Sequence, residues 1–239
     1  MLKSKKVVVT GGNGRFGKTL FSLTDQNFLF PSKKKLNILS LKSIEKYLKR
    51  TKPKYLIHLA GLSRPISMHE KNIKKSIELN IIGTSNIVII CSKLNIKIIY
   101  FSTSYLYPGI KGNYKETDPL LPMNNYAWSK LGAESAVQMY KNSLILRVCM
   151  TEEPFIHKKA FSNLKTNFIY HRKVLPILFK ILNKKGIINL GGEIKTAYNF
   201  AKKENKDVKK IYLKKNNNLK MPINPSMNIR KLKKIINDN

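Results

Sequence analysis

Tyr126 and Lys130 are two residues whose types and spacing suit proton transfer. On a helix, residues four positions apart lie on the same face. A lysine ammonium beside a phenol stabilises the phenolate, so it lowers the pKa of the tyrosine from its reference value of about 10 toward the working pH. Such a tyrosine can donate a proton to a carbonyl oxygen as a hydride arrives, or accept one from an alcohol in the reverse reaction.

The position of this pair along the chain distinguishes it more than its spacing does. A sequence so rich in lysine contains a few such pairs by chance, and two others occur, at Tyr107/Lys111 and Tyr198/Lys202. Tyr126 is the one that opens a predicted helix directly after a turn-rich loop, and that loop follows the fourth predicted strand. We therefore predict that Tyr126 and Lys130 form the catalytic pair.

The fourth predicted strand changes abruptly from apolar to hydroxylic side chains at its end. Residues 98–101 are apolar, and Ser102, Thr103 and Ser104 follow. In an open parallel sheet, ligands bind at the carboxyl ends of the strands. We predict that the Thr103 hydroxyl binds a substrate carbonyl and stabilises the developing alkoxide. Ser104, and Met150 after the fifth strand, are further substrate candidates, whereas Phe155 and Lys165 are weaker ones.

A short apolar run near the start of the chain leads into three glycines spaced three apart, Gly11, Gly14 and Gly17. This pattern indicates a strand, a tight turn and a helix. Gly11 permits the turn, Gly14 lets a diphosphate approach the backbone, and Gly17 lets the helix pack closely on the sheet. The free amides at the helix start then face the phosphates.

The residues after the second predicted strand favour NADP(H) over NAD(H). An acid at this place binds the ribose hydroxyls of NAD, whereas basic or hydroxyl side chains accommodate the 2′-phosphate of NADP. The chain has Ser32 and Lys33 here and no acid between Asp25 and Glu45, and Arg15 can fork onto a phosphate. The predicted cofactor contacts are Gly11, Asn13, Gly14, Arg15, Phe16, Gly17, Ser32, Lys33, Asn37, Ile38, Ala60, Gly61, Leu62, Tyr126 and Lys130.

Strand and helix patterns alternate along the chain and predict an α/β fold, a Rossmann doubly wound parallel sheet with a small C-terminal substrate lobe. The predicted NAD(P)-binding domain spans residues 1–150, and the lobe, partly interleaved with it, spans 151–239. One long helix is predicted at about 70–93. His58 lies within an apolar strand and is predicted to be a core residue with satisfied hydrogen bonds.

The net charge of +33 raises the question of a nucleic-acid partner. Lys, Ile and Asn are all abundant, as expected from an AT-rich genome, and the lysines spread over the chain without interleaved aromatics. We expect no specific nucleic acid, with nonspecific attraction to polyanions left open. Cys91 and Cys149 lie in apolar stretches, no metal cluster is indicated, and no signal peptide or membrane span is recognised. These features predict a cytoplasmic protein.

Several segments together resemble the extended short-chain dehydrogenases/reductases, most closely the dTDP-4-dehydrorhamnose reductase branch. They are the runs 10–17, 59–61, 80–86, 101–107, 114–122 and 126–134, with a fainter similarity at 223–232. The resemblance implies a Rossmann core, a nucleotide-activated sugar as substrate, and Thr103, Tyr126 and Lys130 as the catalytic set, with Lys130 also holding the nicotinamide ribose. The chain departs from the pattern at Ser104, where an acid is usual, at Trp128, and at Asn37.

The resemblance leads to three hypotheses about function. The first is an NADPH-dependent reductase of a nucleotide-linked 4-keto-6-deoxy sugar, acting in dTDP-rhamnose and cell-surface polysaccharide biosynthesis. The second is a nucleotide-sugar 4-epimerase or dehydratase, which retains its cofactor through a full cycle. The third is a catalytically silent NAD(P)-binding regulatory subunit. A homodimer is left open.

Overall fold

The computed structural model describes residues 5–214 and 220–238 of the chain. The strands are β1 Val7–Thr10, β2 Phe28–Leu29, β3 Tyr55–His58, β4 Lys97–Thr103, β5 Ser143–Val148, β6 Met150–Thr151, β7 Lys159–Phe161, β8 Lys165–Thr166, β9 Ile169–Tyr170, β10 Gly186–Leu190, β11 Lys195–Thr196 and β12 Lys209–Ile211. The α-helices are α1 Arg15–Leu23, α2 Leu41–Thr51, α3 Ser67–Lys71, α4 Ile73–Ser76, α5 Gly83–Lys93, α6 Asn125–Gln138, α7 His171–Ile181, α8 Ala197–Ala201 and α9 Arg230–Asn237. A π-helix spans Ile77–Ile82, and a 3-10 helix spans Ser104–Leu106.

Six strands form a parallel sheet in the order β10-β5-β4-β3-β1-β2. The register places Val7 beside both Phe28 and Tyr55, and Tyr55 beside Lys97. All residues of β1, β3, β4 and β5 are buried, as expected for parallel strands covered by helices on both faces. The predicted α/β Rossmann class is confirmed.

The segment predicted as one helix over 70–93 is interrupted in the structure. It begins at Ser67 and breaks at Asn72, whose backbone leaves the helical region and whose side chain accepts a hydrogen bond from the amide of Lys75. Asparagine competes for backbone amides in this way, so it starts a new helix more readily than it continues one. The π-helix then separates α4 from α5.

The chain divides into two compact units. The first comprises Met1–Ser102, Ser129–Ile145 and Lys184–Gly186, and the second comprises Thr103–Trp128, Leu146–Asn183 and Ile187–Asn239. The second unit contains three two-stranded sheets that the sequence did not predict, β6 with β9, β7 with β12 and β8 with β11. Strands of two or three residues carry too few side chains to show an alternating pattern. The domain boundary at residue 150 stays a prediction.

Among the residues that the structure describes, no helix combines the length and the apolar character that crossing a bilayer requires.

Candidate functional site

The glycine loop of the first unit is built so tightly that two of its glycines exclude a side chain. Gly11 has a φ of +74°, and a Cβ there would lie 2.6 Å from the amide nitrogen of Ala60. A Cβ on Gly17 would lie 2.5 Å from the carbonyl oxygen of Gly11. The amide of Gly14 donates a 2.9 Å hydrogen bond to that same carbonyl, which closes the turn. The loop thus has the shape that the sequence predicted.

The start of α1 is open to an anion. Its N-cap residue is Gly14, no described side chain caps it, and its first turn carries no acid. A Cβ on Gly14 would meet a single neighbour, the Gly11 carbonyl oxygen at 3.1 Å. Asn13 and Arg15 are exposed, whereas Phe16 is buried with its ring 5.1 Å from that of Phe101. Backbone amides and the positive end of the helix dipole can therefore hold a phosphate here.

The residues after β2 form a turn that exposes two candidate phosphate ligands, Ser32 and Lys33. The Ser32 carbonyl accepts hydrogen bonds of 3.0 Å from the amides of Lys35 and Leu36. Two further cofactor candidates have structural partners. The Asn37 side chain accepts from the amide of Leu39, and the Ile38 carbonyl accepts from the Asn86 side chain. The Asn37 side chain is therefore already engaged within its own loop.

Asn80 fixes the loop that holds the candidates Ala60, Gly61 and Leu62. Its side-chain oxygen accepts a 2.7 Å hydrogen bond from the Leu62 amide, and its nitrogen donates to the Leu62 carbonyl at 2.9 Å and to the Ser129 hydroxyl at 2.8 Å. A Cβ on Gly61 would lie 2.8 Å from the Asn80 oxygen. Asn80 lies in the π-helix, a feature frequent at functional sites. The sequence did not predict this role for Asn80, and the signal for it was a polar residue inside an apolar helix pattern.

His58 is a buried structural residue, as predicted. Its Nδ1 lies 2.7 Å from the Thr10 hydroxyl, and its Nε2 lies 3.0 Å from the Thr84 hydroxyl. Burial, with a smaller contribution from Lys130, lowers the pKa of His58 to about 3. The ring is therefore neutral at physiological pH.

Lys130 is held with its ammonium against the end of β4. Its Nζ donates a 2.7 Å hydrogen bond to the Phe101 carbonyl and lies 4.2 Å from the centre of the Tyr100 ring. Burial lowers the pKa of Lys130 to about 7, and the charge of Glu134 opposes this shift. Glu134 itself accepts a short hydrogen bond from the Ser102 hydroxyl. Lys130 can therefore change its protonation state near neutral pH.

In the second unit, the end of β4 presents the predicted substrate residues. The Thr103 hydroxyl accepts a 3.2 Å hydrogen bond from the Tyr105 amide and so caps the 3-10 helix. The Ser104 hydroxyl is buried and has no hydrogen-bond partner among the described residues. The Tyr126 ring packs edge-on against the Tyr105 ring, with 6.1 Å between their centres.

Tyr126 and Lys130 lie one turn apart on α6, as the sequence predicted. The helix begins after Asn124, whose side-chain oxygen accepts a 2.9 Å hydrogen bond from the Ala127 amide. This cap fixes where the helix starts, so Tyr126 falls in its first turn, and the four-residue spacing puts both side chains on one face.

A buried polar network also organises the second unit. Arg147 is 2% exposed and donates from Nη1 to the Tyr107 hydroxyl at 2.9 Å and to the Glu116 carbonyl at 3.0 Å. The Tyr107 hydroxyl in turn donates to the Asn189 side chain at 2.8 Å. The sequence did not predict a role for Arg147, because this residue occurs in an apolar strand pattern. The network ties β5 and β10 to the 107–116 segment.

The predicted substrate residues beyond β5 have different surroundings. Met150 is half-buried in β6, beside Ile169 of β9. Phe155 is buried in a cluster with Ala160 and Val208, so it serves packing. Lys165 is exposed in β8. In the described part of the chain, no group of three or more His, Cys, Asp or Glu side chains could hold a metal ion.

The parallel sheet, the glycine loop at the end of β1 and the tyrosine and lysine on α6 define an extended short-chain dehydrogenase/reductase. Residues 5–158 match the family model described as RmlD substrate binding domain. The chain therefore belongs to the RmlD substrate binding domain family.

Two curated proteins illustrate the relationship. Methionine adenosyltransferase 2 subunit beta from Xenopus laevis is 26% identical over 156 residues, which cover 61% of this chain and 46% of that protein. GDP-L-colitose synthase from Yersinia pseudotuberculosis is 34% identical over 107 residues, which cover 43% of this chain and 35% of that protein. The chain spans less than half the length of either relative.

Solved structures show the same fold over nearly the whole chain. dTDP-4-dehydrorhamnose reductase from Bacillus anthracis, in complex with NADP, superposes with a TM-score of 0.86 at 19% identity, covering 96% of this chain and 92% of that one. A hypothetical dTDP-4-dehydrorhamnose reductase from Sulfolobus tokodaii gives a TM-score of 0.83 at 24% identity, covering 96% and 94%. At such identities the likeness establishes the fold.

Proposed function

We propose that this chain is a reductase that uses NADPH to reduce the 4-keto group of a nucleotide-linked 4-keto-6-deoxy sugar, within the biosynthesis of dTDP-rhamnose and cell-surface polysaccharide. The observation that carries the proposal is the pair on α6, Tyr126 followed one turn later by Lys130, with the lysine ammonium anchored on the Phe101 carbonyl. Family membership and the names of the relatives, which include nucleotide-sugar enzymes, support the substrate class.

The residues of the first unit fit a dinucleotide. The glycine loop leaves no room for a Cβ at Gly11 or Gly17, and α1 follows its N-cap Gly14 without a side-chain cap hydrogen bond. We propose that Gly14 and the following amides bind the diphosphate, and that the 60–62 loop lies along the nucleotide. When bound, the nicotinamide ring supplies the hydride.

The proposed catalytic roles follow from the chemistry of each side chain. The Tyr126 hydroxyl gives its proton to the oxygen of the keto group while hydride adds to the carbon, which leaves an alcohol on the sugar. Lys130 in its ammonium form stabilises the resulting phenolate and holds ribose hydroxyls. Thr103 donates a hydrogen bond to the same oxygen, and the buried Ser104 hydroxyl contributes a second polar group at the end of β4.

The proposed preference for NADPH rests on charge. Arg15, Ser32 and Lys33 are all exposed, and none of them is an acid that would repel a 2′-phosphate. We expect the wild-type protein to bind NADPH more tightly than NADH in a fluorescence titration. Neutralising Arg15 and Lys33 together should reduce the difference between the two cofactors.

The test is the substitution Tyr126→Phe, which removes a single hydroxyl. We expect kcat for a dTDP-4-keto-6-deoxy sugar, followed by the absorbance of NADPH, to fall by about a thousandfold, because the proton donor is lost. Tyr198→Phe is the matched control, since Tyr198 and Lys202 have the same spacing outside the proposed site. Near-normal turnover of Tyr126→Phe with intact folding would refute the assignment.

Two other outcomes would change the function assigned. Purification with tightly bound oxidised cofactor, and turnover without net consumption of NADPH, would favour a 4-epimerase or dehydratase. Tight cofactor binding without turnover of any keto sugar would favour a silent regulatory subunit. The similarity to a protein named as a subunit of methionine adenosyltransferase is the reason to test for cofactor binding without turnover.

A further inference from the structure

A cleft of about 490 Å³ in the first unit is lined by five cations, two serines and a tyrosine. It lies between the turn that follows β2 and the exposed face of α2. None of the lining residues that the structure describes is acidic. Five of them are basic: Lys34, Lys35, Lys42, Lys46 and Arg50. A concave surface with one sign of charge focuses the electrostatic potential on whatever enters it.

Three of these cations recur at four-residue intervals along one face of α2. Lys42, Lys46 and Arg50 are neighbours on the helix surface, and like charges at this spacing destabilise a helix. The acid of the same helix does not relieve them, because Glu45 pairs with Lys49 and with Lys93 at 2.9 Å each. Bonding to these two lysines lowers the pKa of Glu45 to about 2, so the carboxylate stays committed to them. An anion in the cleft would supply the missing counter-charge.

The walls of the cleft are held by internal hydrogen bonds. The Ser40 hydroxyl accepts from the Ser43 amide, and the Ser43 hydroxyl accepts from the Asn37 amide at 3.0 Å. The Arg50 guanidinium lies 5.3 Å from the centre of the buried Tyr47 ring, which restricts where it can move. Both serine hydroxyls accept hydrogen bonds from backbone amides, so the cations are the groups left to bind a ligand.

The dimensions of the cleft indicate the size of the ligand. Lys42 and Arg50 are separated by two helical turns, which is about 12 Å along the axis. A single phosphate would reach one or two of the five cations, whereas a chain of phosphates can reach cations at both ends. We propose that this cleft binds a linear phosphoanhydride chain, as found in a nucleoside triphosphate or in free tripolyphosphate, through lining residues that are not among the proposed cofactor contacts.

The experiment compares two double variants by isothermal titration with tripolyphosphate at about 150 mM salt, where long-range attraction is screened. Lys46→Gln with Arg50→Gln removes two charges from the cleft. Lys202→Gln with Lys206→Gln removes two exposed charges at the same spacing in the second unit. We expect saturable binding by the wild type and the control, and affinity weaker by about tenfold or more in the cleft variant. Thermal unfolding checks that both variants fold.

Further titrations identify the ligand and separate this site from the cofactor site. Inorganic phosphate should bind at least about tenfold more weakly than tripolyphosphate. ATP binding more tightly than tripolyphosphate would assign the site to a nucleotide, and equal affinities would assign it to the phosphate chain alone. An equal loss in the two double variants would overturn the proposal in favour of attraction to net charge. Competition by NADPH, or weaker NADPH binding in the cleft variant, would overturn it in favour of a cofactor subsite.

Discussion

Among single residues, His58 of the first unit shows how the surroundings of a titratable side chain keep it neutral and structural. His58 is 1% exposed and lies between two threonine hydroxyls. Both ring nitrogens have neutral partners, so the ring gains nothing from becoming charged, and burial penalises the imidazolium. The surroundings of Lys130 favour its charged form more, because its ammonium donates to the Phe101 carbonyl and the charge of Glu134 opposes the effect of burial on its pKa. The first residue is structural, whereas the second titrates near neutral pH.

The low pKa of His58 makes stability dependent on pH. The folded-state pKa of about 3 lies below the ordinary value, so the unfolded chain binds the proton more readily. Stability is therefore complete above the unfolded pKa of about 6.5 and is lost as pH falls toward the folded value. Between pH 7 and pH 5 we expect this group to account for a loss of about 2 kcal/mol.

Urea unfolding of the wild type and of His58→Asn at both pH values measures this contribution. The variant should show a pH dependence smaller by about 2 kcal/mol. His157→Asn is the control, because it makes the same replacement at an exposed histidine. Parallel pH dependences in the wild type and in His58→Asn would contradict a buried neutral histidine.

Among the secondary-structure elements, the interruption of the helix predicted at 70–93 places Asn80 against the 60–62 loop, which the periodicity of the sequence did not show. The π-helix Ile77–Ile82 contains Asn80, whose side chain fastens both backbone polar groups of Leu62. The apolar pattern predicted the helix correctly, but it carries no information about the wider turn or about a partner 18 residues away. The interrupted helix is therefore connected, through the hydrogen bonds of Asn80, to the 60–62 loop of the proposed cofactor site.

Replacing Asn80 tests this coupling. Asn80→Ala removes three hydrogen bonds, one buried and two part-buried, so we expect a loss of about 2 to 3 kcal/mol in unfolding free energy and an NADPH dissociation constant raised by about tenfold. Asn72→Ala is the control, because Asn72 caps α4 at an exposed position and its loss should cost about 1 kcal/mol without changing NADPH affinity. Unchanged NADPH affinity in Asn80→Ala would show that the hydrogen bonds between Asn80 and Leu62 do not contribute to cofactor binding.

At the scale of the whole molecule, the net charge of +33 is a source of self-repulsion. The described ion pairs are few beside so many lysines, and those on α2 are at the surface. Exposed charges repel over about 30 Å at 10 mM salt and over about 10 Å at 100 mM salt. The folded state concentrates this charge, so screening should favour it.

Salt should therefore stabilise the protein. Raising KCl from about 10 mM to about 100 mM should raise Tm by several degrees in a calorimetric scan. The Lys46→Gln and Arg50→Gln double variant should show a similar slope, because screening acts on the whole charge and not on the cleft alone. A Tm that falls with added KCl would mean that attractive pairs outweigh repulsion.

Local patterns in the sequence are enough to predict the class of fold and the order of its principal elements. Apolar strands, the three glycines and the tyrosine–lysine spacing on α6 are local patterns, and local backbone preferences govern them. The sequence also indicated His58 as a core residue, because a lone histidine within an apolar strand is surrounded by buried neighbours.

Tertiary structure alone decided which distant residues became partners. The Asn80 clamp on Leu62, the Arg147 network with Tyr107, and the cations facing one cleft beside α2 join positions far apart in the chain. The short strand pairs of the second unit are likewise chosen by their partners. Such contacts depend on packing and on the satisfaction of buried polar groups, which no periodicity within a single segment encodes.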